Sequence, residues 1–288
     1  MAFSIPDVNL VSLLPEIILL AAATATLFLS GRDGHRRAAS WAAAAVAASL
    51  LTTPVLFRGA DVAGFGGLIV KDGGTLLFLA LMDLAALVAF FLSRDGDVRR
   101  GGEFCGLALF ALIGMHVMAA GRDLLVVFLG LEILALPLYI LVGSDRMARD
   151  GMEGAVKYFL LGSFSSALFL LGLAFYYGAT GTTALGAAPV ALSSPALLFA
   201  GLALVTVGVG FKIAAVPFHM WAPDTYEGAP LPVAAYISVA PKIAAFAVLV
   251  RIGLDATGPG SDSITQAVLV MSVASMIVGN LAALRQAG

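Results

Sequence analysis

An all-α polytopic membrane protein with about eight or nine transmembrane helices is the fold class this 288-residue sequence predicts. Three observations carry that prediction. The chain is 60% hydrophobic and only 12% charged, where a soluble domain carries roughly 25% charged residues. Its mean hydropathy is +1.01. The apolar residues fall in long unbroken runs, whereas an outer-membrane barrel needs short alternating strands.

A helix crosses the hydrocarbon core with about 20 apolar residues. On that measure spans fall near 11–30, 38–57, 74–93, 103–121, 122–143, 154–177, 196–222, 232–252 and 263–284. The first run lacks a basic leader and a small-residue cleavage site, so it reads as a retained span and not a signal peptide. Spans four and five are separated only by AAGRDL and should form a tight antiparallel pair. The seventh stretch is too long for one plain span and contains Pro217 and Pro223. Proline removes a helical N–H and clashes with the carbonyl four residues back, so a break is expected there.

Charge and cysteine content narrow the function. One cysteine, Cys105, excludes an internal disulfide. No Cys/His spacing suggests a metal site, and ligands for haem or an iron–sulfur centre are lacking. The net charge of −2 gives no ground for a nucleic-acid partner. Loops of roughly 10–20 residues are too short for a nucleotide-binding or redox module, so the chemistry belongs inside the bilayer. Arginines concentrate in loops 31–40, 93–103 and 144–153. The positive-inside rule makes those loops cytoplasmic and places the N-terminus outside.

Ionisable residues at membrane depth are expensive and mark functional sites by default. Glu132 lies nine residues past Asp123, roughly 14 Å into the core. Lys157 has Glu153 four residues back, an ordinary helical pair. The short 144–153 loop also makes a contact between Lys157 and Glu132 plausible. Lys212 precedes the break at Pro217, and broken helices at depth surround ion sites in transporters. Lys242 follows Pro241 and lies ten residues past Pro232, again roughly 15 Å deep. A structural ion pair is the plain reading of Glu132, and Lys157, near a helix end, can simply snorkel. Four of them on four consecutive spans point to a proton relay. Candidate support comes from His219, Tyr236, Ser238 and His116, with Asp224 and Glu227 as caps of the broken helix or contacts to a neighbour. Hydroxyls are also routine glue between membrane helices. Asp83 has no evident partner in its span, Glu16 reads as interfacial or a subunit contact, and Phe218 and Trp221 read as interfacial anchors.

At these residues the chain resembles a known family. FKIAAVPFHMWAPDTYEGAPLPVAAYISVAPK is similar to the signature of the antiporter-like membrane subunits of respiratory complex I. Within them it resembles the subunit N family of NADH-quinone oxidoreductases, the bacterial counterparts of mitochondrial subunit 2. FLGLEILALPLYIL, EGAVKYFLLGSFSSALFLLG and GNLAALRQ fit the same family. The resemblance is strong from span 4 onward and weak before it.

The resemblance implies an N-terminal group of helices over 1–102, a five-helix antiporter-like unit over 103–255 with a broken seventh helix, and the start of helix 9 over 256–288. Glu132 then matches the acid of the fifth helix and Lys157 its ion-pair lysine on the sixth. Lys212 matches the lysine of the broken seventh helix. Lys242 matches the lysine of the eighth, which passes protons toward a second half-channel. The implied function is non-redox proton translocation within a respiratory NADH:quinone oxidoreductase of a bacterial inner membrane. No cofactor is expected on this chain; NADH, FMN, iron–sulfur clusters and quinone belong to partner subunits of the membrane-bound complex. The family continues past GNLAALRQ into a second inverted unit with its own lysine, so the C-terminal part is expected to be missing. Two other readings stand beside this one: a subunit of a multisubunit cation/proton antiporter without redox partner, and a structural component of the membrane arm.

Overall fold

The computed structural model describes residues 9–28, 35–56, 61–95, 101–145, 147–186, 194–255 and 261–285. Of the arginines used for orientation, Arg32, Arg58, Arg99, Arg100 and Arg146 lie outside these residues. A 3-10 turn, Leu10–Leu13, is capped by Asn9 and leads into α1 (Leu14–Phe28). Then follow α2 (His35–Leu56), a hairpin of β1 (Val62–Gly64) and β2 (Ile69–Lys71), α3 (Gly73–Asp95) and α4 (Gly101–Ala120). After these come α5 (Leu124–Val142), α6 (Arg149–Thr180), α7 (Pro195–Ile213), the short α8 (Ala222–Gly228), α9 (Leu231–Asp255) and α10 (Ser261–Ala283). Eight of the helices are long and apolar enough to cross a membrane. With α2, whose 22 residues fill the second predicted span, they account for all nine predicted stretches.

The antiparallel hairpin pairs Val62 with Lys71, Ala63 with Val70 and Gly64 with Ile69. It organises one face of the molecule. The Arg122 N–H donates to Leu68 O at 2.9 Å, and Leu124 N–H donates to Thr183 O at 2.9 Å. The hairpin, the α4–α5 turn and the end of α6 therefore share backbone hydrogen bonds, as alternate connections of a serpentine bundle should. Asp72 ties the same face together. It accepts from Arg122 at 2.8 Å and from Arg251 at 3.3 Å, and Arg251 also donates to the Thr75 hydroxyl at 2.6 Å.

Helix pairs approach through glycine, as membrane helices do when van der Waals contact must replace a hydrophobic driving force. A Cβ on Gly114 of α4 would stand 2.3 Å from Leu134 N of α5, and one on Gly130 would stand 2.5 Å from Met118 N. The predicted antiparallel pair is thus in backbone contact. The pair α6–α7 meets similarly at Gly172 and Gly201. Glycines also seat α8 against the start of α6, where a Cβ on Gly154 would lie 2.8 Å from Asp224 O. α4 is enclosed on nearly all sides, while α10 keeps its apolar side chains exposed and leans on α7 and α9.

The seventh stretch, expected over 196–222, is shorter and more sharply broken than its apolar length suggests. α7 stops at Ile213, because Ala214 takes the left-handed conformation with φ 61° and ψ 38°. Residues 214–221 form turns containing the cis Val216–Pro217 peptide, and α8 then runs to Gly228.

Candidate functional site

Lys212 lies in the last turn of α7, one residue before its end, where the unpaired carbonyls favour a cation. Its side chain is 2% exposed, and its Nζ has no hydrogen-bond partner among the described residues. Three rings face that Nζ: Tyr139 at 5.2 Å, Tyr158 at 5.3 Å and Phe211 at 5.6 Å to their centroids. The box is built from α5, α6 and α7, and the chain beyond the break completes it. Trp221 stacks on Tyr158 at 4.5 Å and donates its indole N–H to Phe211 O at 3.0 Å. Trp221 is therefore a buried clamp of the helix break and not the interfacial anchor expected. The phenolic oxygens of Tyr139 and Tyr158 are also buried without partners among the described residues.

Glu132 is the acid whose charge reaches Lys212. Its Oε1 accepts from Ser166 of α6 at 2.5 Å, while the neighbouring Ser165 donates to Gly208 O of α7 at 3.2 Å. Consecutive serines of α6 thus hold two different partners, Ser166 the acid and Ser165 the backbone of the turn that precedes Lys212.

Lys157 departs from its expected partner. It meets Asp224 of α8 at 2.5 Å and Glu153 at 2.6 Å, and its side chain is 43% exposed. Among the described residues no ion pair joins it to Glu132, because α8 folds back over the start of α6 and brings Asp224 into reach. Asp224 thereby acts as a contact between elements. Glu227 of the same helix is exposed.

Lys242 of α9 donates to the Tyr226 hydroxyl at 2.6 Å and to Ser238 O at 3.0 Å. Its Nζ also lies 5.0 Å from the Tyr226 ring, which meets Trp221 edge-on at 5.8 Å. Lys212 and Lys242 therefore sit at opposite ends of one chain of rings, Tyr158–Trp221–Tyr226. Ser238 contributes through its carbonyl, while its hydroxyl bonds back to Ala235 O. Tyr236 faces the other way and donates to Ala108 O of α4 at 3.0 Å. His219 is half-buried in the break with Nδ1 unpartnered among the described residues, and Pro217 is exposed.

Asp83 is not solitary, for it shares a buried cluster with His116 and Glu16. All three are buried together, with Lys71 and Ser49, among the first four helices and β2. Sequence reasoning also passed over Tyr139, Tyr158 and Tyr226. Tyr139 had a legible signal, since it lies seven residues after Glu132 and so on the same helix face. Tyr226 had none, because only the fold-back of α8 carries it to Lys242. Among the described residues no three His, Cys, Asp or Glu side chains are grouped to hold a metal ion.

A multi-pass helical bundle interrupted at a buried lysine shares its architecture with the class of membrane proteins that place discontinuous helices around ion sites. Comparison with known proteins makes the class specific. The family model for the transmembrane part of NADH:quinone oxidoreductase/Mrp antiporter proteins matches residues 121–288, and the chain belongs to that family. It is 41% identical to NADH-quinone oxidoreductase subunit N of Halorhodospira halophila over 298 residues, covering 99% of this chain and 60% of that protein. A chain of respiratory complex I from Thermus thermophilus, solved with bound aureothin, superposes with a TM-score of 0.80 at 37% identity, over 96% of this chain and 58% of that one. A chain of the Mrp complex from Dietzia sp. DQ12-45-1b shares the fold with a TM-score of 0.78 at 23% identity, over 96% and 55%. The present chain thus spans about 60% of the length of the curated relative.

Proposed function

We propose that this chain is a proton-translocating part of a membrane subunit of an NADH:quinone oxidoreductase, with Glu132, Lys212 and Lys242 as its relay. The observation that carries the reading is the Lys212 box: a buried amine at a helix end, facing three rings and, among the described residues, no hydrogen-bond acceptor. A charge in such a place depends on Glu132, so a change of charge at Glu132 alters how firmly Lys212 holds its proton. Ser166 gives Glu132 a hydroxyl, and Ser165 ties α6 to the backbone of α7 one turn before Lys212. Tyr226 offers Lys242 a hydroxyl at the far end of the ring chain. Lys157 and Asp224 hold α8 in place, which keeps Tyr226 there. The five-helix unit is α4 to α9, with α7 and α8 as the two halves of its broken helix.

In this reading the chain carries no redox chemistry. NADH, FMN, iron–sulfur clusters and quinone belong to partner subunits, and the other membrane-arm subunits flank it in a bacterial inner membrane with the hairpin face outside. The test is NADH-driven proton uptake by inverted vesicles carrying Glu132→Gln or Lys212→Met in the assembled enzyme. Loss of uptake together with loss of coupled NADH–quinone turnover is expected. Unchanged uptake in both variants would sink the relay. A cation/proton antiporter subunit is the alternative to which the family description points. It predicts ion-gradient-driven proton exchange in vesicles given no NADH.

A further inference from the structure

Away from the Lys212 box, the first four helices enclose a second set of charges. Lys71 of β2 is 1% exposed and donates to both carboxylate oxygens of Glu16 on α1, at 2.8 and 2.7 Å. His116 of α4 is fully buried. Its Nε2 is hydrogen-bonded to Asp83 Oδ1 of α3 at 3.2 Å, while its Nδ1 faces Glu16 Oε1 at 3.5 Å without a hydrogen bond among the described residues. The other Asp83 oxygen accepts from Ser49 of α2 at 2.9 Å. From α9, Tyr236 is in electrostatic reach of Asp83, with its hydroxyl turned to Ala108 O.

Proton arithmetic decides what this arrangement is. A neutral imidazole has one N–H and one lone pair. Between two carboxylates, its bare nitrogen would face another lone pair unless a further proton lies there. That proton makes the ring an imidazolium or protonates one of the acids. With it, Lys71 and the shared proton offset Glu16 and Asp83, and the cluster is neutral. Without it, a net negative charge is left in a volume nearly closed to water, which is strongly disfavoured.

Position adds a direction. Glu16 is in the first turn of α1, at the hairpin end. Asp83 lies ten residues past Gly73, the start of α3, roughly 15 Å along the helix. The chain Lys71–Glu16–His116–Asp83 therefore runs from the hairpin face toward mid-depth.

We propose that Glu16, His116 and Asp83 form a second proton-binding site, which holds one exchangeable proton between the two carboxylates and is reached from the hairpin face through Lys71. Transfer along it balances simply. The O–H bond of protonated Glu16 breaks as an N–H bond forms at His116 Nδ1. The N–H bond at Nε2 breaks as an O–H bond forms on Asp83. One proton has moved inward, and the ring is left neutral with its hydrogen on the other nitrogen. The site is independent of whether the Lys212 line translocates protons.

The three histidines of the sequence make the test tractable. The full chain, labelled with 15N-histidine, is examined in its native membranes by solid-state NMR near neutral pH, and the His116 signal is assigned by its loss in His116→Gln. Both ring nitrogens are expected to be hydrogen-bonded in the wild type. Asp83→Asn and Glu16→Gln are each expected to alter that signal, while Glu132→Gln leaves it in place. A wild-type ring with one bare nitrogen and two ionised carboxylates in the infrared spectrum overturns the proposal, and that measurement stands even where a variant fails to fold. Lys71→Met is expected to slow deuterium exchange at the ring severalfold. Unchanged exchange overturns the route through the hairpin.

Discussion

Lys212 shows most directly how residue chemistry is set here. Ring faces stabilise a desolvated cation by about 2 kcal/mol, less than burial of an unpaired charge costs. An apolar residue of similar length should therefore suit the box at least as well as lysine does. Lys212→Met is expected to keep or raise the melting temperature in detergent while proton uptake is lost. A variant that instead unfolds would show the lysine to be structural. Tyr226 offers a second test, since only its hydroxyl and ring face Lys242 from α8. Tyr226→Phe keeps the ring and removes the acceptor. Proton uptake should fall severalfold with assembly unchanged, as judged by the amount of complex resolved on a native gel.

At the scale of elements, backbone proximity and face ties govern stability. Gly114→Ala would drive a methyl to 2.3 Å from the backbone of α5. Overpacking of that kind costs about 1–3 kcal/mol, so a lower unfolding midpoint in detergent is expected, with unchanged stability counting against the described α4–α5 contact. On the hairpin face, Asp72 is opposed by partial burial, which raises its pKa. The backbone and hydroxyl hydrogen bonds of Thr75, then Arg251 and Arg122, outweigh this and hold it below the ordinary carboxylate range. A carboxyl depressed in the folded state contributes stability above its unfolded value of about 3.9 and loses it as pH falls through the lower folded one. Asp72→Asn should therefore destabilise the protein at neutral pH. The difference from wild type should shrink below about pH 4, measured by thermal unfolding across a pH series.

At the scale of the whole molecule, alternate connections gather on opposite faces, and the proposed orientation has the hairpin face outside. Leu68 on that face and Met147 in the α5–α6 loop are both exposed, while the native Cys105 is buried. In intact cells a membrane-impermeant maleimide is expected to label Leu68→Cys and not Met147→Cys. The reverse pattern would invert the topology.

Much of this architecture was legible from residues alone, because bilayer thickness imposes a length on every span. The AAGRDL turn announced the α4–α5 pair, and Pro217 announced a break after Lys212. The partners of the charges were not legible. Lys157 pairs with Asp224, 67 residues away, because glycines let α8 lie against α6. Asp83 appeared solitary because His116 and Ser49 come from other helices. By itself the sequence determined that charges fall within apolar spans, and the cost of hydrocarbon burial acts on each such residue wherever its neighbours are. Only the tertiary structure decided which charges meet, since hydrogen bonds and ion pairs act over a few ångströms and helix packing sets those distances.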